Sequence, residues 1–277
     1  MDVFIAILLG IVQGLTEWFP VSSSGHLIVI QHILVPGELP FSYTISLHAA
    51  TLLVLIIFFR RDIIHAGKGI IDVIIDVIRG KRLNDSIRKD ENRVLGVMVI
   101  VAMIPTGILG LLIYTYITEK YIQTLLPVGI AFIIQGLLVL STKFGRKKRT
   151  ISEITLRDSL AIGTMQGLSA FSGLSRSGST ISTGVALGID RRSAARFSFI
   201  ASIPAFIAAL ILDLRDITGF GSIDPVLLAA GFIPAFLVGL ASLKGLMFIL
   251  RGTRFYLFSI YSFIFGCVVL TLYSLGY

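Results

Sequence analysis

The sequence predicts an all-α polytopic membrane protein, a single membrane domain over residues 1–277. It is built from two inverted-topology repeats, each one re-entrant helix hairpin plus three transmembrane helices, with six full crossings in total. Three observations predict this. The chain is 55% hydrophobic and 14% charged, with mean hydropathy +0.91, whereas soluble domains carry about 25% charged residues. Six apolar runs approach the ~20 residues that cross ~30 Å of hydrocarbon. Two further apolar stretches are each interrupted by a serine- and glycine-rich break, and the breaks are copies of one another.

The first of these stretches, 3–34, opens the chain. A secretory leader would carry Lys or Arg before its apolar run and a small-residue cleavage site after it. Asp2 and the lack of such a site predict that the segment is retained. Trp18-Phe19-Pro20-Val21-Ser22-Ser23-Ser24-Gly25-His26 breaks it into halves short for a crossing. Irregular backbone at membrane depth is tolerated only where it is buried in protein or lines a cavity, so the segment reads as a helix–break–helix hairpin. A crossing follows at about 43–59. The stretch 62–79, with Asp62, Lys68, Asp72 and Asp76 among isoleucines, reads as an amphipathic interfacial helix. Crossings at about 94–117 and 121–141 close the first repeat, 1–145. The second repeat, 150–277, opens on a hairpin over 156–189 broken at Ser172-Gly173-Leu174-Ser175-Arg176-Ser177-Gly178-Ser179-Thr180. It continues with crossings at about 193–212, 225–250 and 255–276. Cys267 is the sole cysteine, so there is no disulfide framework.

The repeat is read from ordered matches. Gln13-Gly14-Leu15 recurs as Gln166-Gly167-Leu168, and Ser22, Ser24 and Gly25 recur as Ser175, Ser177 and Gly178, all at an offset of 153. Phe41-Ser42-Tyr43 matches Phe197-Ser198-Phe199, Ser46 matches Ser202, and Ile104-Pro105 and Gly110 match Ile233-Pro234 and Gly239. Three crossings per repeat invert the second relative to the first, an arrangement that sets broken helices against each other near the midplane. On this topology 20 of the 24 Lys and Arg residues fall in four cytoplasmic loops, which meets the positive-inside rule; Lys120 and Arg215 lie opposite, and Arg176 and Lys244 lie within apolar segments. The net charge of +8 is therefore a topology and headgroup signal, with no nucleic-acid partner expected. Both termini and the first hairpin fall on the external side, and the second hairpin enters from the cytoplasm.

Ionisable residues inside membrane segments cost ~2.5–3.5 kcal/mol on insertion scales and are functional candidates by default. Gln13 and Glu17 share one helix face, and His26 follows three serines. The competing reading of Glu17 is an interfacial acid that snorkels outward; that of His26 is a capping or packing histidine. Arg176 in an apolar stretch needs an anionic partner, either Glu17 or a phosphate that its planar fork would clamp. The residues around it open a helix, and a helix N-terminus is an anion site. His48 is a further embedded candidate, while Gln135 and Thr106 read as interhelical hydrogen bonders.

Through Gln13-Gly14-Leu15-Thr16-Glu17, Pro20-Val21-Ser22-Ser23-Ser24-Gly25-His26, Gly173-Leu174-Ser175-Arg176-Ser177-Gly178-Ser179-Thr180 and Phe197-Ser198-Phe199, the chain resembles the undecaprenyl-diphosphatase family linked to bacitracin resistance. The resemblance covers most of the chain. It implies a multi-pass plasma (inner) membrane phosphatase, open to the external side, that converts a polyprenyl diphosphate carrier to its monophosphate. The carrier would be recycled for cell-wall or surface-glycan synthesis. The implied catalytic residues are Glu17, Ser23, His26 and Arg176, with Ser23, His26 or water as nucleophile. Gln13, Ser22, Ser24, Ser175, Ser177 and Thr180 are expected to bind phosphate. A divalent cation, Mg or Ca, is expected with Glu17 as a ligand, and a homodimer is an admitted assembly. Two positions depart from the family pattern: Gln13 replaces a glutamate, and Ser172 replaces the proline before Gly173. The competing class is a polyprenyl-phosphate flippase, because inverted repeats with broken helices are also a transporter architecture.

Overall fold

The structure, a computed structural model, describes residues 2–35, 39–117, 124–145, 148–216, 224–252 and 254–276, without the side chains of Phe41, Arg215 and Asp216. Lys120, Arg146 and Lys147, which entered the charge pattern, and the side chain of Arg215 lie outside the described residues.

Twelve α-helices order the described residues: α1 (Val3–Thr16), α2 (Ser23–Leu34), α3 (Phe41–Phe58), α4 (Arg60–Ile78), α5 (Leu83–Ile87), α6 (Glu91–Tyr116), α7 (Leu125–Ser141), α8 (Leu156–Leu168), α9 (Arg176–Ala186), α10 (Arg191–Asp216), α11 (Pro225–Ile249) and α12 (Phe258–Ser274). Short polar side chains start many of them by satisfying first-turn amides. Asp2 accepts from the Ile5 amide, Asp90 from Asn92 and Arg93, and Asp224 from Val226, while Thr155 and Asp158 form a reciprocal capping box.

Among the described residues, five helices are long and apolar enough to cross a membrane: Glu91–Tyr116, Leu125–Phe144, Arg191–Leu214, Pro225–Ile249 and Arg254–Ser274. The sixth expected crossing is α3, which bends by 72° at Phe59 into α4. The protein is thus an all-helical, multi-pass membrane protein. The two broken stretches form pairs of short helices, α1 with α2 and α8 with α9, and the members of each pair pack against each other.

The most extensive helix contacts include a matched exchange: α1 packs on α11, and α8 packs on α6. A side chain at Gly10 would stand 2.3 Å from the Gly231 carbonyl oxygen, and one at Gly163 would stand 2.1 Å from that of Ala102. Backbone touches backbone at both places, the close approach that small residues allow between membrane helices. Helix α7 packs on α12 and also receives the starts of α2 and α9. The main core joins Trp18, Leu55, Leu95, Ile162, Phe197 and Phe255.

Helix α4 has the predicted amphipathic character, with Ile64, Ile71, Ile74 and Ile78 exposed. Its acids do not form one solvated face, however. Asp76 is buried and receives Lys81 (2.5 Å), Lys89 (2.9 Å), Arg93 (2.7 Å) and the Ser86 hydroxyl (2.9 Å). These hydrogen bonds, those of Lys81 and Arg93 foremost, hold its carboxyl well below the usual carboxylate range. Arg196 on α10 joins Asp62 on α4 to Glu91 on α6. Basic residues assigned to loops thus also tie α4, α6 and α10 together.

Candidate active site

Ser22 ends the first break with φ 60°, a left-handed value rare for a residue with a Cβ. Its hydroxyl accepts the Gly25 amide at 3.3 Å and caps α2, which makes Ser23 the first helical residue. In the second break Ser175 accepts the Gly178 amide at 3.1 Å and caps α9, whose first residue is Arg176. Both glycines press on α7: a Cβ at Gly25 would meet the Phe132 ring at 2.5 Å, and one at Gly178 would meet the Gln135 amide at 1.9 Å. Gln135 Oε1 accepts the Ser175 amide (3.1 Å) and the Ser179 hydroxyl (3.2 Å). The breaks also interlock, because the Ser175 and Ser177 hydroxyls both donate to the Phe19 carbonyl at 3.3 Å.

This frame brings the first side chains of α2 and α9 to one carboxylate. Glu17, 6% exposed at the end of α1, accepts Gln13 Nε2 (2.8 Å) and Ser23 Oγ (2.6 Å) on Oε2 and an ion pair from Arg176 on Oε1. Glu17 is therefore no snorkelling acid. The Arg176 guanidinium lies over the Phe206 ring, 3.4 Å from its centroid, a cation–π contact that fixes its plane. Glu17, Ser22, Ser23, Ser24, Ser175 and Arg176 share the wall of a cavity of about 1740 Å³. Its further walls run along α6 and α10 past Gly107, Leu111, Ala205 and Ala209.

Four expected residues do not line that cavity. Gln13 is fully buried behind Glu17, and Ser177 and Thr180 border a separate void of about 10 Å³ on the Phe199 side of Arg176. The Thr180 hydroxyl donates to the Arg176 carbonyl at 2.8 Å. His26 is packed instead between α2, α7 and α12, stacked on Phe265 at 4.2 Å and edge-on to Phe132 at 5.5 Å. Its Nδ1 lies 2.7 Å from the Ser22 carbonyl and its Nε2 2.5 Å from the Tyr261 hydroxyl. A carbonyl can only accept, so Nδ1 donates, and in the neutral ring Nε2 accepts from Tyr261. This is the packing alternative for His26, with a consequence: the imidazole holds the carbonyl of the strained residue that precedes Ser23.

Sequence reading missed Phe206 and Tyr261, since one aromatic among many in apolar helices carries no signal. Gln135 was visible as an embedded amide, but not its grip on the second break. Glu17 is the one carboxylate here, neighboured by Gln13 Nε2, Ser23 Oγ and the Arg176 guanidinium, and among the described residues Gln13 Oε1 is a buried acceptor without a hydrogen-bond partner. One carboxylate and one free amide oxygen suit a hard cation that takes most of its ligands from phosphate oxygens.

Fold and site together define a multi-pass membrane protein in which an arginine, a carboxylate and a serine from two broken helix pairs meet in one cavity. Residues 6–268 match the family model described as "Bacitracin resistance protein BacA", and the chain belongs to that family. It is 40% identical over 281 residues to an undecaprenyl-diphosphatase of Alkaliphilus metalliredigens, covering 99% of this chain and 100% of the relative. Proteins of the same name from Korarchaeum cryptofilum (37% identical, 98% of this chain and 100% of the relative) and Methanosphaera stadtmanae (38% identical, 98% of each) are similarly related.

Proposed function

We propose that this chain is an integral membrane phosphatase that hydrolyses undecaprenyl, or a related polyprenyl, diphosphate to the monophosphate and phosphate. The observation that carries the reading is the convergence of Ser23, Arg176 and Glu17 on one cavity wall, with Ser23 Oγ 2.6 Å from the carboxylate. Family membership and the names of full-length relatives support the substrate class.

Arg176 exchanges Glu17 for the terminal phosphate as the diphosphate enters, and the amide ends of α2 and α9 add positive potential. Ser23 Oγ attacks the terminal phosphorus and passes its proton to Glu17. The bond to the bridging oxygen breaks, and polyprenyl monophosphate leaves with the electron pair. Water then hydrolyses the phosphoserine, and Ser23 regains a proton. The short Ser23–Glu17 hydrogen bond supports Ser23 as nucleophile over His26, whose ring nitrogens are both engaged away from the cavity. A divalent cation such as Mg or Ca, held by Glu17 and Gln13 Oε1, would neutralise phosphate charge. The hydroxyls of Ser22 and Ser24 are placed to orient the diphosphate, and the apolar walls along α6 and α10 suit the prenyl chain. A flippase would need the arginine but has no use for a serine bound to a carboxylate.

The finer architecture belongs to the same proposal. Repeats at 1–145 and 150–277 are related by inversion, and their hairpins, 3–34 and 156–189, enter from the external and cytoplasmic sides. The exchanged packing of α1 on α11 and α8 on α6, with Gly10 and Gly163 at equivalent places, supports it. The cavity then opens externally.

The test is phosphate release from C55 diphosphate by purified protein, comparing wild type with Ser23→Ala, Glu17→Gln and Arg176→Ala. Loss of turnover in all three is expected. Full turnover in all three would sink the site assignment, and an inactive wild type that moves lipid across vesicles would replace phosphatase with flippase.

A further inference from the structure

We infer that His48 contacts the substrate, its imidazole donating a hydrogen bond to the lipid-linked diphosphate; the inference rests on reading the cavity as a diphosphate site. His48 lies on α3, inside a membrane segment, where a polar side chain needs a partner or a purpose. Among the described residues its imidazole makes no hydrogen bond to protein. It lines the same cavity as Glu17, Ser23 and Arg176 and is the one imidazole among the described residues that does so. Thr44 and Leu52, one turn before and after it, line the cavity too, so this face of α3 belongs to the wall.

Phe206 links His48 to the phosphate-binding arginine. The imidazole and Phe206 ring centroids are 6.5 Å apart, and the Arg176 guanidinium is 3.4 Å from the same ring. Imidazole and guanidinium are therefore no farther apart than those two distances together, a gap that a diphosphate with a hydrogen bond at each end spans. The other histidines are otherwise placed: His26 is bound at both nitrogens, His32 faces the Ile28 carbonyl, and His65 is on the exposed side of α4. With Arg176 on the terminal phosphate, His48 is positioned for the phosphate that leaves attached to the lipid, where a hydrogen bond stabilises the charge developing on the bridging oxygen.

Kinetics and spectroscopy on full-length protein in nanodiscs test this. His48→Leu, close in volume but without a donor, should lower kcat/KM for polyprenyl diphosphate about ten- to a hundredfold, the worth of a hydrogen bond to a charged group. His48→Gln, which retains a donor, should recover most of that loss. Elution as a monodisperse species with wild-type thermal stability establishes folding of each variant. In histidine-selective ¹⁵N spectra, farnesyl methylenediphosphonate, a non-hydrolysable analogue, should shift the His48 signal while leaving that of His65 in place. His48→Leu at wild-type kcat/KM, or a His48 signal unmoved at saturating analogue, overturns the inference and leaves the phosphatase reading standing. A wild type that releases no phosphate overturns that reading instead, and the analogue titration still decides whether His48 meets the diphosphate.

Discussion

Ser22 caps α2 and Ser175 caps α9, each accepting the amide of a glycine three residues on and each beside a second serine hydroxyl, Ser24 at 3.3 Å and Ser177 at 3.1 Å. Beyond this shared device the two breaks diverge. Positions at the same offset of 153 hold Glu17 against Ala170, Ser23 against Arg176 and His26 against Ser179. Their backbones differ as well. In the first break the left-handed residue is Ser22, at φ 60°; in the second Ser175 is relaxed at φ −79°, and the left-handed residue is Gly173, for which φ 95° carries no side-chain penalty. Strain of this kind costs of order 1–3 kcal/mol and persists only where the surroundings over-determine it. Around Ser22 they do, through the His26 imidazole on its carbonyl and Tyr261 and Phe265 behind that ring. The difference is a division of labour: the first break sets a serine against a carboxylate from a strained turn, the pair proposed as nucleophile and base, and the second presents a cation from an unstrained one.

The largest test of that division is Ser23→Ala, expected to lower phosphate release by more than about a thousandfold, as loss of a nucleophile does, with folding unchanged. Burst-phase trapping of a phosphoserine in wild type would sharpen it; an active Ser23→Ala would break it. Arg176→Lys keeps the charge and loses the planar fork, so a fall of about 10²–10³-fold in kcat/KM is expected, with thermal stability close to wild type. Arg176→Ala additionally strands Glu17 and should lower the melting temperature. At the equivalent pair, His26→Ala should lower kcat about a hundredfold at little-changed KM, because Ser23 loses its aim. Ser179→Ala, which loses only a hydrogen bond to Gln135, should cost about 1 kcal/mol of stability and little activity. Equal losses at both positions would abolish the asymmetry. The smallest effect lies away from both breaks. The depressed Asp76 carboxyl stabilises the fold fully above its unfolded value of about 4, and that contribution is lost as pH falls below it toward the lower folded value. Thermal melts from pH 7 to 3 should show a decline below about pH 4 that Asp76→Asn reduces.

Much of this was legible in one dimension. Hydropathy and length fix the crossing helices, since a bilayer leaves few alternatives to a continuous apolar helix. Ionisable residues stand out there because each is costly, so Glu17 and Arg176 were visible as candidates, while Ser23 was a candidate only through the family resemblance. The placement of His26 was not visible: the resemblance implied a catalytic residue, whereas residues far along the chain, Tyr261 and Phe265, decide that its ring lies away from the cavity. The same holds for Ser177 and Thr180, whose hydroxyls are committed to the Phe19, Arg176 and Ser177 carbonyls.

By itself, then, the sequence determined a multi-pass helical membrane protein, the two serine-rich breaks, and the residue types able to handle a phosphate. These depend on local composition and on the cost of polar groups in hydrocarbon. Only tertiary structure decided that Ser23 and Arg176, 153 positions apart, reach the same carboxylate, that His26 faces an aromatic box, and that His48 faces the cavity. Those outcomes depend on which helix faces meet, and α7, wedged under both breaks through Phe132 and Gln135, sets them by packing that no local pattern encodes.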